Sequence, residues 1–260
     1  MPFKKGDFLL VEHIARVKET GEVFDTTQEE LAREKRLYKE GESYEPKLVV
    51  IGEGWMLKAL DDSLMLLSLN KTKTVEIPPE KAFGHRDPEK VRMIPLRRLR
   101  DKSINPTIGM RLEYEKRMAT VRTVGGGRVQ LDFNPPLAGK TLVYEVTARK
   151  KLRTHKEKIL TLIHRRIPLI EITKFKLEIE KTGTTIRVPE EAFYLEGLQI
   201  AKRGIATDIH RFFKSIARVE FVENFQNPSA KKPSKTPSRK KAKGKKKKLK
   251  TTGDSSQKEK

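Results

Sequence analysis

The sequence predicts an α+β protein, and three observations carry that expectation. Residues 7–17 and 141–149 read as half-buried strands, because Leu142, Tyr144, Val146 and Ala148 alternate with their neighbours at the two-residue period of a sheet. Between them, GEGWMLKALDDSLMLLSLN changes period: Met56, Leu60, Leu64 and Leu67 share one helical stripe while Lys58, Asp61 and Asp62 face away. Beyond Arg153, helical and strand-like segments alternate over a stretch long enough to form a module of its own.

Taken in order, the start MPFKKGDFLLVEHIARV places basic residues before apolar ones, loosely like a leader peptide. Glu12, His13 and Arg16 interrupt the apolar run and no small-residue cleavage site follows, so it is read as a strand. KTKTVEIPPEKAFG is a strand ended by Pro78-Pro79, since proline cannot continue the ladder of hydrogen bonds. Residues 85–139 are short β-like segments between glycine and proline breaks. Gly125-Gly126-Gly127 reads as a hairpin turn; a phosphate cradle would need a Lys-Ser/Thr pair and a following helix. THKEKILTLIHRR is a helix stopped by Pro168, EITKFKLEIE and TTIRVP a hairpin, LEGLQIAKRGIATDIHRFFKSI an amphipathic helix and ARVEFVENF a last strand. TKFKLEIE offers an edge through which two copies could pair, with a self-contained fold as the alternative.

At 260 residues and 36% hydrophobic content, the chain is long enough for a sizeable core and more than one domain. It contains no cysteine, which excludes disulfides, thiolate metal sites and cysteine nucleophiles. SLMLLSL, its longest apolar run, is too short to span a bilayer, and a cytoplasmic protein is expected. His13, His85, His155, His164 and His210 lack metal-ligand spacing, so neither metal nor cofactor is expected. Of the net charge of +22, residues 226–260 carry +12, from fourteen Lys/Arg against two acids. With no apolar periodicity, that tail is expected to be disordered.

GEVFDTT, GWMLKALDDSL, PPEKAFGHRDPEKV and GRVQLDFNPPLAGKTLVYEV occur in this order, and together they resemble FKBP-type peptidyl-prolyl isomerases, in particular the long SlyD-like form of archaea. The resemblance covers residues 5–149, and the residues after 153 resemble the extra C-terminal domain of long archaeal members. It implies an FKBP-like antiparallel sheet wrapped on one helix, with an inserted small β-rich domain and a C-terminal α+β domain. The implied boundaries are 1–84 and 140–152 for the catalytic domain and 85–139 for an insert-in-flap chaperone domain. The C-terminal domain then takes 153–225 and the Lys-rich tail 226–260.

Carried over residue by residue, the resemblance implies a catalytic pocket of Phe24, Asp25, Met56, Leu57, Leu60, Phe83 and Tyr144, with no metal or cofactor. Leu60 at the pocket floor agrees with SlyD-like forms, where short eukaryotic forms have Trp. Phe83 stands where a Tyr is common, Ala59 replaces a Gly, and near Ile14 and Ala15 the family's pocket Tyr has no aromatic counterpart. In the insert, Ile94, Leu96, Leu99, Met110, Val121, Leu131 and Phe133 are candidates for holding unfolded clients, or else for the insert's own core. Met93, Met110 and Met118 are adaptable client contacts or ordinary core filler.

The implied function is prolyl isomerisation with holdase activity on unfolded or nascent chains containing proline. The alternative is a non-catalytic basic protein binding RNA or ribosomes. Its cationic tail, including Lys231, Lys232, Arg239, Lys240, Lys241, Lys245, Lys246, Lys247 and Lys248, would attract polyanions by counterion release without reading sequence. No membrane contact is expected.

Overall fold

The computed structural model describes residues 2–225, so the tail assigned to polyanion binding lies outside the described residues. In chain order the first elements are β1 (Phe8–Val17), β2 (Val23–Thr26), α1 (Glu29–Glu34), β3 (Lys47–Val50), α2 (Lys58–Met65) and β4 (Thr72–Ile77). The inserted segment follows as β5 (Val91–Pro95), α3 (Leu96–Arg100), β6 (Arg111–Tyr114), β7 (Arg117–Gly125) and β8 (Arg128–Asp132). The chain then completes the first sheet with β9 (Leu142–Leu152) and continues through α4 (His155–Arg166), β10 (Lys176–Ile179), β11 (Gly183–Val188), α5 (Leu198–Phe212) and β12 (Arg218–Glu223). The architecture is the expected α+β one.

The first sheet runs β2-β1-β9-β4, with β3 also paired to β1, and every pairing is antiparallel. Period-two alternation gives each strand two faces. Leu9, Val11 and Ala15 of β1 join Leu60 and Leu64 of α2 and Leu142, Tyr144 and Val146 of β9 in one core. The opposite parity, Phe8 of β1 and Leu48 and Val50 of β3, packs with Ile159, Leu162 and Ile163 of α4 and Ile205 and Ile209 of α5. One end of the sheet is therefore covered on both faces. Fully burying each of these aliphatic side chains stabilises the fold by about 1.5–3 kcal/mol before ordering entropy is charged.

The inserted segment is a four-stranded antiparallel sheet, β5-β8-β7-β6. Gly126 and Gly127 form the two-residue turn between β7 and β8, both at positive φ, the conformation such hairpins require. The short helix α3 was not expected from the sequence; its Leu99 is fully buried on the sheet. The last module is a three-stranded sheet, β10-β11-β12. β10 and β11 form the expected hairpin, whereas β11 and β12 are parallel, which demands a long crossover that α5 supplies. Among the described residues β10 pairs only with β11 and so lies at an edge. Helix α4 starts with a capping box: Thr154 Oγ1 accepts from the Glu157 N–H at 3.1 Å and Glu157 Oε2 accepts from the Thr154 N–H at 3.1 Å.

Burial corrects the client-binding assignment. Ile94, Leu99, Val121, Leu131 and Phe133 form the insert's core together with Val129 and Leu112, and Leu96 packs against it, leaving Met110 alone of the seven exposed. Ile94, Val121, Val129 and Leu131 share one face of the sheet, and Leu99 of α3 closes it. The open apolar side chains are instead Met93 and Met118 on the opposite face, each about half exposed, with Ile108 and Met110 in the approach to β6.

Candidate active site

The candidate residues come from three places. β2 carries Phe24 and Asp25, the entry to α2 carries Met56, Leu57 and Leu60, and β9 carries Tyr144. Tyr144 lies opposite Ala15 in the β1–β9 pairing, and Asp25 lies opposite the same residue in β1–β2, so the ladder brings both to one level of the sheet. Asp25, Met56, Leu57, Leu60 and Tyr144 line a single cleft of about 1010 Å³. Phe24 is not in its lining but packs edge-on against Tyr144, with ring centroids 5.9 Å apart. Phe83 does not join the group. It sits on the turn closed by the Gly84 N–H to Pro79 O, 43% exposed and outside the lining.

Leu60 is buried and Met56 and Leu57 are partly so, which gives the near half of the cleft an apolar floor. Leu57 is the N-cap of α2, where backbone N–H groups lack helical acceptors, and its own N–H has no acceptor among the described residues. Asp61, in the first turn of α2, accepts the Gly52 N–H at 3.3 Å and so ties the helix start to the turn after β3; burial raises its carboxyl above the usual range. Tyr144 is buried, and its phenol is pushed up to about 12 by burial and by the Asp25 charge.

His13 is the residue that sequence reasoning missed. Its Nε2–H donates to Asp25 Oδ2 at 2.9 Å, and its ring lies 6.2 Å from that of Tyr144. This hydrogen bond, opposed by burial, holds the Asp25 carboxyl below its ordinary range. The signal was present, since His13 shares the inward parity of Val11 and Ala15 on β1. An imidazole thus stands close to the positions, Ile14 and Ala15, where no aromatic had been found.

The far half of the cleft is lined by Glu42, Ser43, Glu45 and Pro46 of the loop before β3, by Trp55, and by Thr161, His164 and Arg165 of α4 with Pro168 and residues 171–173. His164 Nε2 and Glu45 Oε1 are 2.6 Å apart, a bond that ties the loop to the helix. Among the described residues, no group of three or more His, Asp and Glu is arranged to hold a metal ion, and no helix is long and apolar enough to cross a membrane.

Residues 92–137 match the family model described as the FKBP26 IF domain, and residues 155–226 match the FKBP26 C-terminal model. The short-type peptidyl-prolyl cis-trans isomerase of Methanocaldococcus jannaschii is 35% identical over 146 residues, covering 56% of this chain and 92% of that protein. The chain belongs to the FKBP-type peptidyl-prolyl isomerases. The SlyD isomerase of Treponema pallidum is 31% identical over 120 residues, or 45% of this chain and 68% of its own. A probable FKBP-type 16 kDa isomerase of Pseudomonas fluorescens is 29% identical over 106 residues, covering 39% and 69%. Within this FKBP-type chain, the matched IF segment runs from the second residue of β5 past the end of β8, and the matched C-terminal segment begins at α4.

Proposed function

We propose that this FKBP-type isomerase turns X-Pro bonds in the near half of the cleft and that its insert holds the unfolded chains that bear them. The convergence of Asp25, Met56, Leu57, Leu60 and Tyr144 from distant segments on one apolar cleft carries the reading.

The barrier to prolyl rotation is about 18–20 kcal/mol because twisting the amide breaks its resonance. No proton is transferred and no covalent bond is exchanged, so neither nucleophile nor general base is needed. The twisted amide is less polar than the planar one, and an apolar, water-poor site favours it by desolvation. Leu60 and Tyr144, with Phe24 braced behind, would grip the pyrrolidine ring. The free Leu57 N–H would donate to a substrate carbonyl and fix the chain on one side of the rotating bond. Asp25, kept ionised by His13, would polarise the edge of the cleft near the turning carbonyl.

A refolding reaction limited by proline isomerisation tests this. The whole chain should accelerate it, and Phe24→Ala with Tyr144→Ala should remove most of the acceleration. Equal acceleration by the double variant sinks the assignment of the site.

The clients would be unfolded or nascent chains containing proline, met in the cytoplasm. Exposed Met93 and Met118 support holding on the open face of the insert, because methionine adapts to varied apolar partners. The fourteen cationic residues of 226–260 support binding of RNA or the ribosome surface. Such binding should fall steeply with added salt and be lost on truncation after Phe225; RNA binding that survives truncation removes that role from the tail.

A further inference from the structure

The far half of the cleft is walled by one face of α4, where Thr161, His164 and Arg165 lie at the i, i+3, i+4 spacing that puts side chains in one row, and by Pro168 just beyond the helix. The cleft is thus continuous between the FKBP sheet and the C-terminal module, and at about 1010 Å³ it is larger than one proline requires.

Its charges are unequally satisfied. Asp25 is bonded to His13, Glu42 to Lys39, and Glu45 to His164 and Ser43. Arg165 is different. Its guanidinium lies 4.0 Å over the Trp55 ring, and it donates no hydrogen bond to another described residue. Its nearest carboxylate oxygen, Asp208 Oδ2 at 4.0 Å, already accepts two hydrogen bonds from Arg166. With 36% of its side chain exposed, Arg165 remains open to a ligand. Burial and the adjacent Arg166 charge pull the guanidinium below the usual arginine range, as expected of a cation short of a counter-charge. Its contact with the Trp55 ring restrains the guanidinium, so a carboxylate could bond to it at reduced ordering cost.

We propose that this far half is a second polypeptide subsite, in which Arg165 and Trp55 take an acidic side chain of the client a few residues from the proline. The proposal rests on the near half being the proline site. It assigns the C-terminal module a part in choosing which prolines are served.

Trp55 is the sole tryptophan of the chain, so its emission reports on the subsite directly. The probes are proline-containing peptides with Glu, Ala or Lys at successive positions on either side of the proline. For at least one position the Glu peptide should bind about fivefold tighter than its Lys counterpart, the order expected of a partly exposed charge-assisted hydrogen bond, and should shift Trp55 emission. In Arg165→Glu the preference should turn toward Lys, and in Arg165→Gln, kept in case the first variant folds poorly, it should vanish. Equal affinity of Glu and Lys peptides for the native chain at every position, or a Glu preference unchanged in both variants, overturns the subsite. Failure of the proline site reads differently: replacing proline by alanine would then leave affinity unchanged while the Arg165-dependent preference persists.

Discussion

His13 and Asp25 are joined across the β1–β2 pair by a 2.9 Å hydrogen bond from Nε2–H to Oδ2 at the edge of the cleft. It keeps Asp25 ionised, so removing the donor has a signed consequence. In His13→Ala the Asp25 carboxyl should rise toward its ordinary value, as read by a carbon NMR titration. The depressed value means that this bond stabilises the fold above the unfolded carboxyl pKa of about 3.9 and that the gain is lost as pH falls through the lower folded value. The acid-unfolding midpoint of the variant should therefore move to higher pH. Isomerase kcat/KM should fall about tenfold, the order of one charge-assisted hydrogen bond. An unmoved Asp25 titration would show that the pair is incidental.

Tyr144 titrates on the alkaline side. Its phenol is pushed up to about 12, with burial the larger cause and the Asp25 charge the smaller. The raised value means that its contribution is intact below the unfolded tyrosine pKa of about 10 and is lost as pH rises from there through 12. Ultraviolet titration of the native chain should show one late tyrosine step that Tyr144→Phe abolishes. A late step that survives in that variant would belong to another tyrosine.

Met93 and Met118 lie on the open face of the insert sheet, away from its core. Met93→Ser with Met118→Ser should slow catalysed refolding of an unfolded protein severalfold while leaving isomerisation of a short proline tetrapeptide unchanged. Since neither methionine supports the core, the melting temperature should stay within a few degrees. Undiminished refolding would move client holding elsewhere.

Asp132 organises the base of the insert. It is buried, and burial alone would raise its carboxyl. Bonds from Asn134, Arg122 and Arg86 outweigh that cost and hold it below the usual range. Asp132→Ala would leave both arginines without this acceptor, at a cost of about 2 kcal/mol. Hydrogen exchange should speed up in β5 and β8 before it does in β1 and β9. Simultaneous loss of protection in both sheets would mean that the insert has no separate stability.

What could be read from the sequence was what period and spacing report directly. Leu142, Tyr144, Val146 and Ala148 announced a strand because strand parity is burial parity. The near-half residues Asp25, Met56, Leu57, Leu60 and Tyr144 were reached through the family resemblance, whose motifs are short contiguous segments. Helix α3 was not, because five residues, LRRLR, are too few to display a helical period. In the insert, alternation showed which residues shared a face but not which face α3 would close. The far half of the cleft depends on α4 docking beside the loop before β3. Ile159, Leu162 and Ile163 mark its buried face, whereas Arg165 is left without a hydrogen-bonding carboxylate only once Arg166 has taken Asp208.

Gly84 and Gly139 mark where the chain leaves the first sheet and returns to it. Gly139 N–H donates to Gly84 O at 2.8 Å, both residues have positive φ, and a Cβ at Gly139 would come within 3.2 Å of the Arg86 Cβ. Departure and return therefore sit side by side, so the segment between them is an insertion whose two ends are adjacent. Excising it leaves two ends that a short bridge can join, and a foreign module whose own ends are adjacent can be spliced in their place.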